Sequence, residues 1–280
     1  SDIEQFMSLQ QRARSILLGA SASRRTPEQT AAWFAATSSR ILHHIDAARK
    51  EAHQPPSKEL TTTLADLEIL AHLAAFHAHR LPAGLAYALY QQSGASGDLA
   101  AALSEERLAV AEWQRMVDAA GDIYAEDLQF GAHAVGFPHH WKEELARLRQ
   151  GLAALEAEKP KLESPSHLTA LVKDEPPVVR LALPAGARPG HYLVVTARVT
   201  GAVRSLVLRY RHLTQYEDYL SVPMALDPKS GLYAATIPGA FIEPRWDLMY
   251  FVEAIGVNGS GRNYPDLESE APYVIVPVAR

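Results

Sequence analysis

Glu158-Lys159-Pro160-Lys161-Leu162-Glu163-Ser164-Pro165-Ser166 separates two kinds of chain in this sequence. Each proline removes a backbone donor, fixes φ and biases the residue before it away from helix, and the flanking charge disfavours a central strand. A second break, Pro176-Pro177, follows shortly. Upstream, apolar residues recur at helical spacing; downstream they alternate in short runs separated by turn residues. Helices first and strands afterwards call for two hydrophobic interiors rather than one interleaved sheet. The reading is α then β: a helical domain over 1–160, a linker over 161–177 and a β-sandwich over 178–280.

The upstream half reads as an antiparallel helical bundle with short connections. A first helix is expected over 2–18, carrying Ile3, Phe6, Met7, Ala13, Ile16 and Leu17. Thr26-Pro27-Glu28-Gln29 is a start signal, with threonine as cap and proline at the first helical position. That helix should stop before Pro55-Pro56. The next begins near Ser57 and carries Leu64, Leu67, Leu70, Leu73, Ala74 and Phe76, apolar on more than one side, which fits a central helix. Pro82 and Gly84 are expected to kink or break it, with Gly94 ending the segment. Asp98 is the expected cap of a helix ending at Gly121, and a last helix is expected over 138–158.

Seven strands are expected downstream, over 178–183, 192–200, 205–212, 219–226, 232–237, 248–255 and 272–278. Alternation is clearest in Leu193, Val195, Ala197, Val199 and in Leu206, Leu208, Tyr210, the mark of a strand with one buried face. Turns are signalled at Asp227-Pro228-Lys229-Ser230-Gly231, Ile237-Pro238-Gly239 and Asn258-Gly259-Ser260-Gly261. Seven short strands in so few residues fit a two-sheet immunoglobulin-like sandwich.

Tyr233-Ala234-Ala235-Thr236-Ile237-Pro238, then Leu248-Met249-Tyr250-Phe251-Val252-Glu253-Ala254 and the turn at Asn258-Gly259, resemble fibronectin type III-like modules. The pattern departs at Gly256, where such modules often place an acid. The resemblance covers residues 175–280 and implies a fold; modules of this class often stand beside catalytic domains in secreted bacterial polysaccharide-degrading enzymes. Gly121-Asp122-Ile123-Tyr124-Ala125-Glu126-Asp127-Leu128 with Trp141-Lys142-Glu143-Glu144-Leu145 is similar to the C-terminal helical region of large bacterial glycoside-hydrolase-like proteins. That similarity assigns no catalytic residue.

Composition narrows the function classes. The 280 residues are 48% hydrophobic and 21% charged, with a net charge of −5, which offers no concentrated basic face for nucleic acid. No apolar run approaches the ~20 residues of a membrane span. Without cysteine there is no disulfide framework, which fits the cytosol and a bacterial exported protein equally. The opening Ser1-Asp2-Ile3-Glu4 is read as the start of a piece of a longer chain. A secreted or periplasmic bacterial protein is the expectation, with the cytoplasm as the alternative.

Chemistry has few candidates. Neither a Gly-x-Ser-x-Gly elbow nor a phosphate-cradling loop occurs, and Gly256-Val257-Asn258-Gly259-Ser260-Gly261 reads as a hairpin turn. Glu68 and His72 share a helix face, but His79 lies about 10 Å further along the axis, so a surface or interhelical hydrogen-bonded pair outweighs a metal. His43 and His44 are adjacent, diverge and read as structural. The segment 121–140 gathers Asp122, Glu126, Asp127, His133, His139 and His140. Its catalytic candidates are Asp122, Asp127 and His139, as an acid/base or ion-binding group, against a turn cap and solvated imidazoles. In the sandwich, Tyr216, Tyr219, Trp246 and Tyr250, with Arg209, Arg211 and Arg245 nearby in sequence, could stack on a sugar, against a role in the core.

The expected function is a non-catalytic C-terminal region of a larger bacterial glycoside-hydrolase-like protein, supporting an upstream catalytic domain of the same chain or presenting substrate to it. The alternatives are a hydrolase with its own site near Asp122 to His140, and a carbohydrate- or protein-binding module. No cofactor, metal, nucleic acid or membrane is called for.

Overall fold

The computed structural model describes residues 4–52, 55–125, 140–170, 175–269 and 271–280. Five helices precede two antiparallel sheets, one of four strands and one of five. The helices are α1 (Leu9–Leu17), α2 (Pro27–Glu51), α3 (Lys58–Ser93), α4 (Ser96–Ala120) and α5 (Trp141–Glu156). The strands are β1 (Val178–Leu181), β2 (Leu193–Thr200), β3 (Val203–His212), β4 (Leu220–Pro223), β5 (Ala225–Asp227), β6 (Leu232–Ile237), β7 (Leu248–Gly256), β8 (Gly261–Tyr264) and β9 (Val274–Val276). Described residues of Ser1–Met7, Leu18–Thr26 and Val172–Arg280 form one compact unit, and those of Ser8–Leu17 and Pro27–Leu171 form the other.

In the helical unit, α3 packs against α1, α2 and α4, as its apolar character on several sides predicts. Ser57 caps its start by accepting from Leu60 N at 3.1 Å, and Gly94 ends it at φ +74°. The expected break at Pro82 does not occur: α3 continues through it for 36 residues. An internal proline costs about 3 kcal/mol, and burial of Ala83, Leu85, Ala86, Ala88 and Leu89 around it offsets that loss. Gly84 serves close approach instead, since a Cβ there would lie 2.7 Å from Leu9 Cδ1 of α1. The first helix is shorter than expected; Gln5, Phe6 and Met7 lie outside it.

Asp98 is not the cap of α4. Ala95 holds that position, and Asp98 sits in the first turn, fully buried. Its carboxylate accepts from Ser93 Oγ at 3.0 Å, Ser166 Oγ at 2.9 Å and His167 N at 2.8 Å, and His167 Nδ1 lies at 2.7 Å. These contacts fasten much of the stretch expected to be a linker onto the α3–α4 turn. Ser96 N and Gly97 N donate to Leu162 O and Ser164 O, and a Cβ on Gly97 would lie 2.2 Å from Ser166 N.

In the β unit the sheet orders are β1-β2-β6-β5 and β4-β3-β7-β8, with β9 also on β7. One core receives Val195, Ala197, Ala235 and Ile237 from the first sheet and Leu206, Leu208, Tyr210, Leu248, Tyr250 and Val252 from the second. The single strand expected over 219–226 is two strands in different sheets, joined at buried Met224. The turn at 256–261 is formed as expected, with Gly256 N bonded to Ser260 O, but it leads into β8, which the sequence reading missed.

The residues flanking α1 complete this unit. Met7 N donates to Arg25 O and Arg25 N to Gln5 O, pairing the two flanks. Gln5 is buried, and Asn263 Nδ2 of β8 donates to Glu4 O at 3.1 Å. Arg25 meets Glu268 at 2.8 Å, and Arg204 donates to Ser21 Oγ at 2.6 Å. Gly261 admits the backbone here, because a Cβ on it would lie 2.4 Å from Ala22 O.

Gly261→Val should therefore lift residues 21–24 from β8 at a cost of about 2 kcal/mol, read as faster amide exchange over 20–26; unchanged exchange would refute the contact. Burial pushes the Asp98 carboxyl up, but the His167, Ser166 and Ser93 hydrogen bonds outweigh it and hold it below the usual carboxylate range. The Asp98 contribution is then fully present above the unfolded pKa of about 3.9 and lost as pH falls through the lower folded value. Asp98→Asn should cost about 2 kcal/mol at neutral pH and flatten that acid limb in denaturation curves.

Candidate functional site

A groove of about 550 Å³ opens in the β unit between the residues flanking α1 and the outer face of the five-stranded sheet. Alternation along a strand sets its floor: while Tyr250, Val252 and Ala254 enter the core, Phe251, Glu253 and Ile255 face the other way. Arg209 stands opposite Phe251 in the β3–β7 register and meets Glu253 at 3.1 Å. Tyr219 and Met7 add apolar surface, and Glu4, Asp218, Arg24, Ser21 and Ser23 add polar groups. The Tyr219 ring lies 4.9 Å from Phe251 at 69°, and the Arg211 guanidinium lies 4.4 Å from its centroid. Arg211 is itself fixed by donating to Glu217 O at 3.0 Å, so the tyrosine is braced from two directions.

The four aromatic candidates separate. Tyr219 lines this groove; Tyr216 is almost fully exposed and lies outside it. Trp246 is half-buried, lies outside it too, and stacks under Arg245 at 5.1 Å. Tyr250 is a core residue, which corrects its reading as a binding candidate. Its hydroxyl has no hydrogen-bond partner among the described residues, and burial pushes its pKa up to about 12.

In the helical unit, Asp127 and His139 lie outside the described residues, as do Glu126 and His133. Asp122 is fully exposed, with Lys142 Nζ at 3.8 Å. His140 is buried and caps α5 by accepting from Lys142 N at 3.1 Å. His72 and His79 are interhelical partners of α4, one of the two roles left open by the sequence: His72 Nδ1 is 2.9 Å from Glu112 and His79 Nδ1 is 2.8 Å from Glu105. Arg80–Glu106 continues the same seam. Glu68 is engaged by Arg49 at 2.5 Å. His72, Glu68, Arg49, Arg115 and Asp118 also line a hollow of about 590 Å³. There the imidazole is oriented by a carboxylate, but the neighbouring Glu68 is neutralised by its arginine. Among the described residues no group of three His, Asp or Glu side chains is placed to hold a metal ion, and no helix is long and apolar enough to cross a membrane.

Phe251, Glu253 and Arg24 were not singled out from the sequence as site residues. The signal for the first two was present in the strand period: once Tyr250, Val252 and Ala254 are placed inward, Phe251 and Glu253 must share the opposite face. Arg24, Met7 and Glu4 carry no such signal, because they reach the groove from the far end of the chain. Comparison with family models and with curated proteins finds no match to this chain.

Removing the Tyr250 hydroxyl tests the division between core and site. Tyr250→Phe should leave stability within about 1 kcal/mol of the parent, or raise it, because a buried hydroxyl without a partner contributes nothing. A loss well beyond that in urea unfolding would show that the hydroxyl is bonded.

Proposed function

We propose that this chain is a non-catalytic accessory region of a larger glycoside-hydrolase-like protein, and that its β unit presents carbohydrate through the groove at Tyr219. The observation that carries the reading is the composition of that groove: aromatic surface from Tyr219 and Phe251 beside a fixed Arg209–Glu253 pair. Aromatic surface takes the apolar face of a pyranose, while a guanidinium and a carboxylate offer donors and acceptors to its hydroxyls. Support for a fibronectin type III-like sandwich comes from the two antiparallel sheets sharing one core and from the motif residues themselves. Tyr250 fills that core and Phe251 floors the groove. Support for an accessory role in the helical unit comes from its acid–imidazole pairs. His72, His79 and Asp98 are spent on joining α3, α4 and residues 166–167. The upstream catalytic domain and the exported bacterial setting belong to the same proposal.

The test is titration of the intact chain with a panel of neutral oligosaccharides, followed by NMR shift perturbation. The sugar that binds should perturb Tyr219, Phe251 and Glu253, and Tyr219→Ala should weaken it about tenfold, the equivalent of losing one stacking contact. Binding that Tyr219→Ala leaves unchanged, or a panel without a binder, would sink the reading.

A further inference from the structure

The outer face of the four-stranded sheet carries two like charges directly opposite one another. Arg180 of β1 and Arg198 of β2 are direct partners in the antiparallel register. Both are exposed, while their neighbours Val179 and Ala197 are buried, so the two arginines stand together on the solvent side. Directly opposed residues have Cβ atoms about 5 Å apart, and like charges there destabilise the pair of strands. Neither arginine has a hydrogen bond or ion pair among the described residues. Three other arginines of the unit are matched with acids: Arg25 with Glu268, Arg209 with Glu253, and Arg262 with Asp266.

Arg180, though not Arg198, lines a cleft of about 520 Å³ together with Leu181, Pro265, Ser269 and the paired Arg262–Asp266. Two neighbouring guanidinium groups present parallel N–H donors that match the oxygens of a carboxylate, and bound charge would relieve their repulsion. The cleft adds apolar surface from Val178, Leu181 and Leu183 for the body of the same ligand.

We propose that Arg180 and Arg198 form a second binding site, which takes the carboxylate of an acidic sugar whose ring enters this cleft. The sugar part of the assignment rests on the carbohydrate reading above; the carboxylate part rests on the opposed arginines alone. Sodium glucuronate is the probe, with glucose and sodium sulfate compared at matched ionic strength by NMR titration of the intact chain. Glucuronate should bind saturably with perturbations at 178–181 and 197–199, and glucose should not. Arg198→Thr should weaken glucuronate about tenfold or more without lowering the melting temperature of the unliganded chain, because it removes a like-charge pair. Tyr219→Ala should leave glucuronate binding unchanged, which separates this site from the groove. Absence of a saturable glucuronate response, or equal binding by Arg198→Thr, overturns the proposal. Sulfate binding as tightly as glucuronate overturns the acidic-sugar assignment.

Discussion

Strand β7 is buried on both faces, and the β unit is organised by that fact. Seven of its nine positions from Leu248 to Gly256 are buried, so burial alone does not separate its two faces. One face supplies Leu248, Tyr250, Val252 and Ala254 to the core. The other supplies Met249 and Phe251, both almost fully buried, and Phe251 lines the groove with Met7. A strand paired with β3, β8 and β9 and covered on both sides has little freedom to shift register, because a slip of one residue would exchange its two faces. The groove inherits this rigidity: Phe251 and Glu253 are fixed by the same backbone that holds the core.

The helical unit has its own fixed point at Asp98. Burying a carboxylate is costly unless donors surround it, and here serine hydroxyls, a backbone N–H and an imidazole do so. The consequence is structural. Residues 161–167, which by composition should be loose, are laid along the α3–α4 turn and held there by backbone hydrogen bonds as well as by the carboxylate. His72 and His79 of α3 act similarly between helices, where Glu112 and Glu105 of α4 engage them.

The helix and strand inventory was largely legible, because it depends on short-range signals. Pro27 and Glu51 bound α2 as the local residues indicate, Gly94 ends α3, and the alternation in β2 and β3 marks their inward residues correctly. Three of the departures share a cause. Pro82, Met224 and residues 5–7 carry local signals for a break, a continuous strand and a helix, and in each case distant packing decided otherwise. The candidate site was half legible: Tyr219 and Arg209 were singled out, but Tyr250 was placed with them although its side chain points into the core.

What the sequence determined by itself is the order of architectures, helices and then sheets, together with most element boundaries, since periodicity and turn chemistry act over a few residues. Tertiary structure alone decided where the groove lies. Its walls join residues 4–7 and 21–24 to residues 209–255, and no short-range pattern encodes a contact between segments so far apart in the chain. That closure depends on buried polar matches such as Asn263 with Glu4 and on the missing Cβ of Gly261, which acquire meaning only once both ends of the chain are in place.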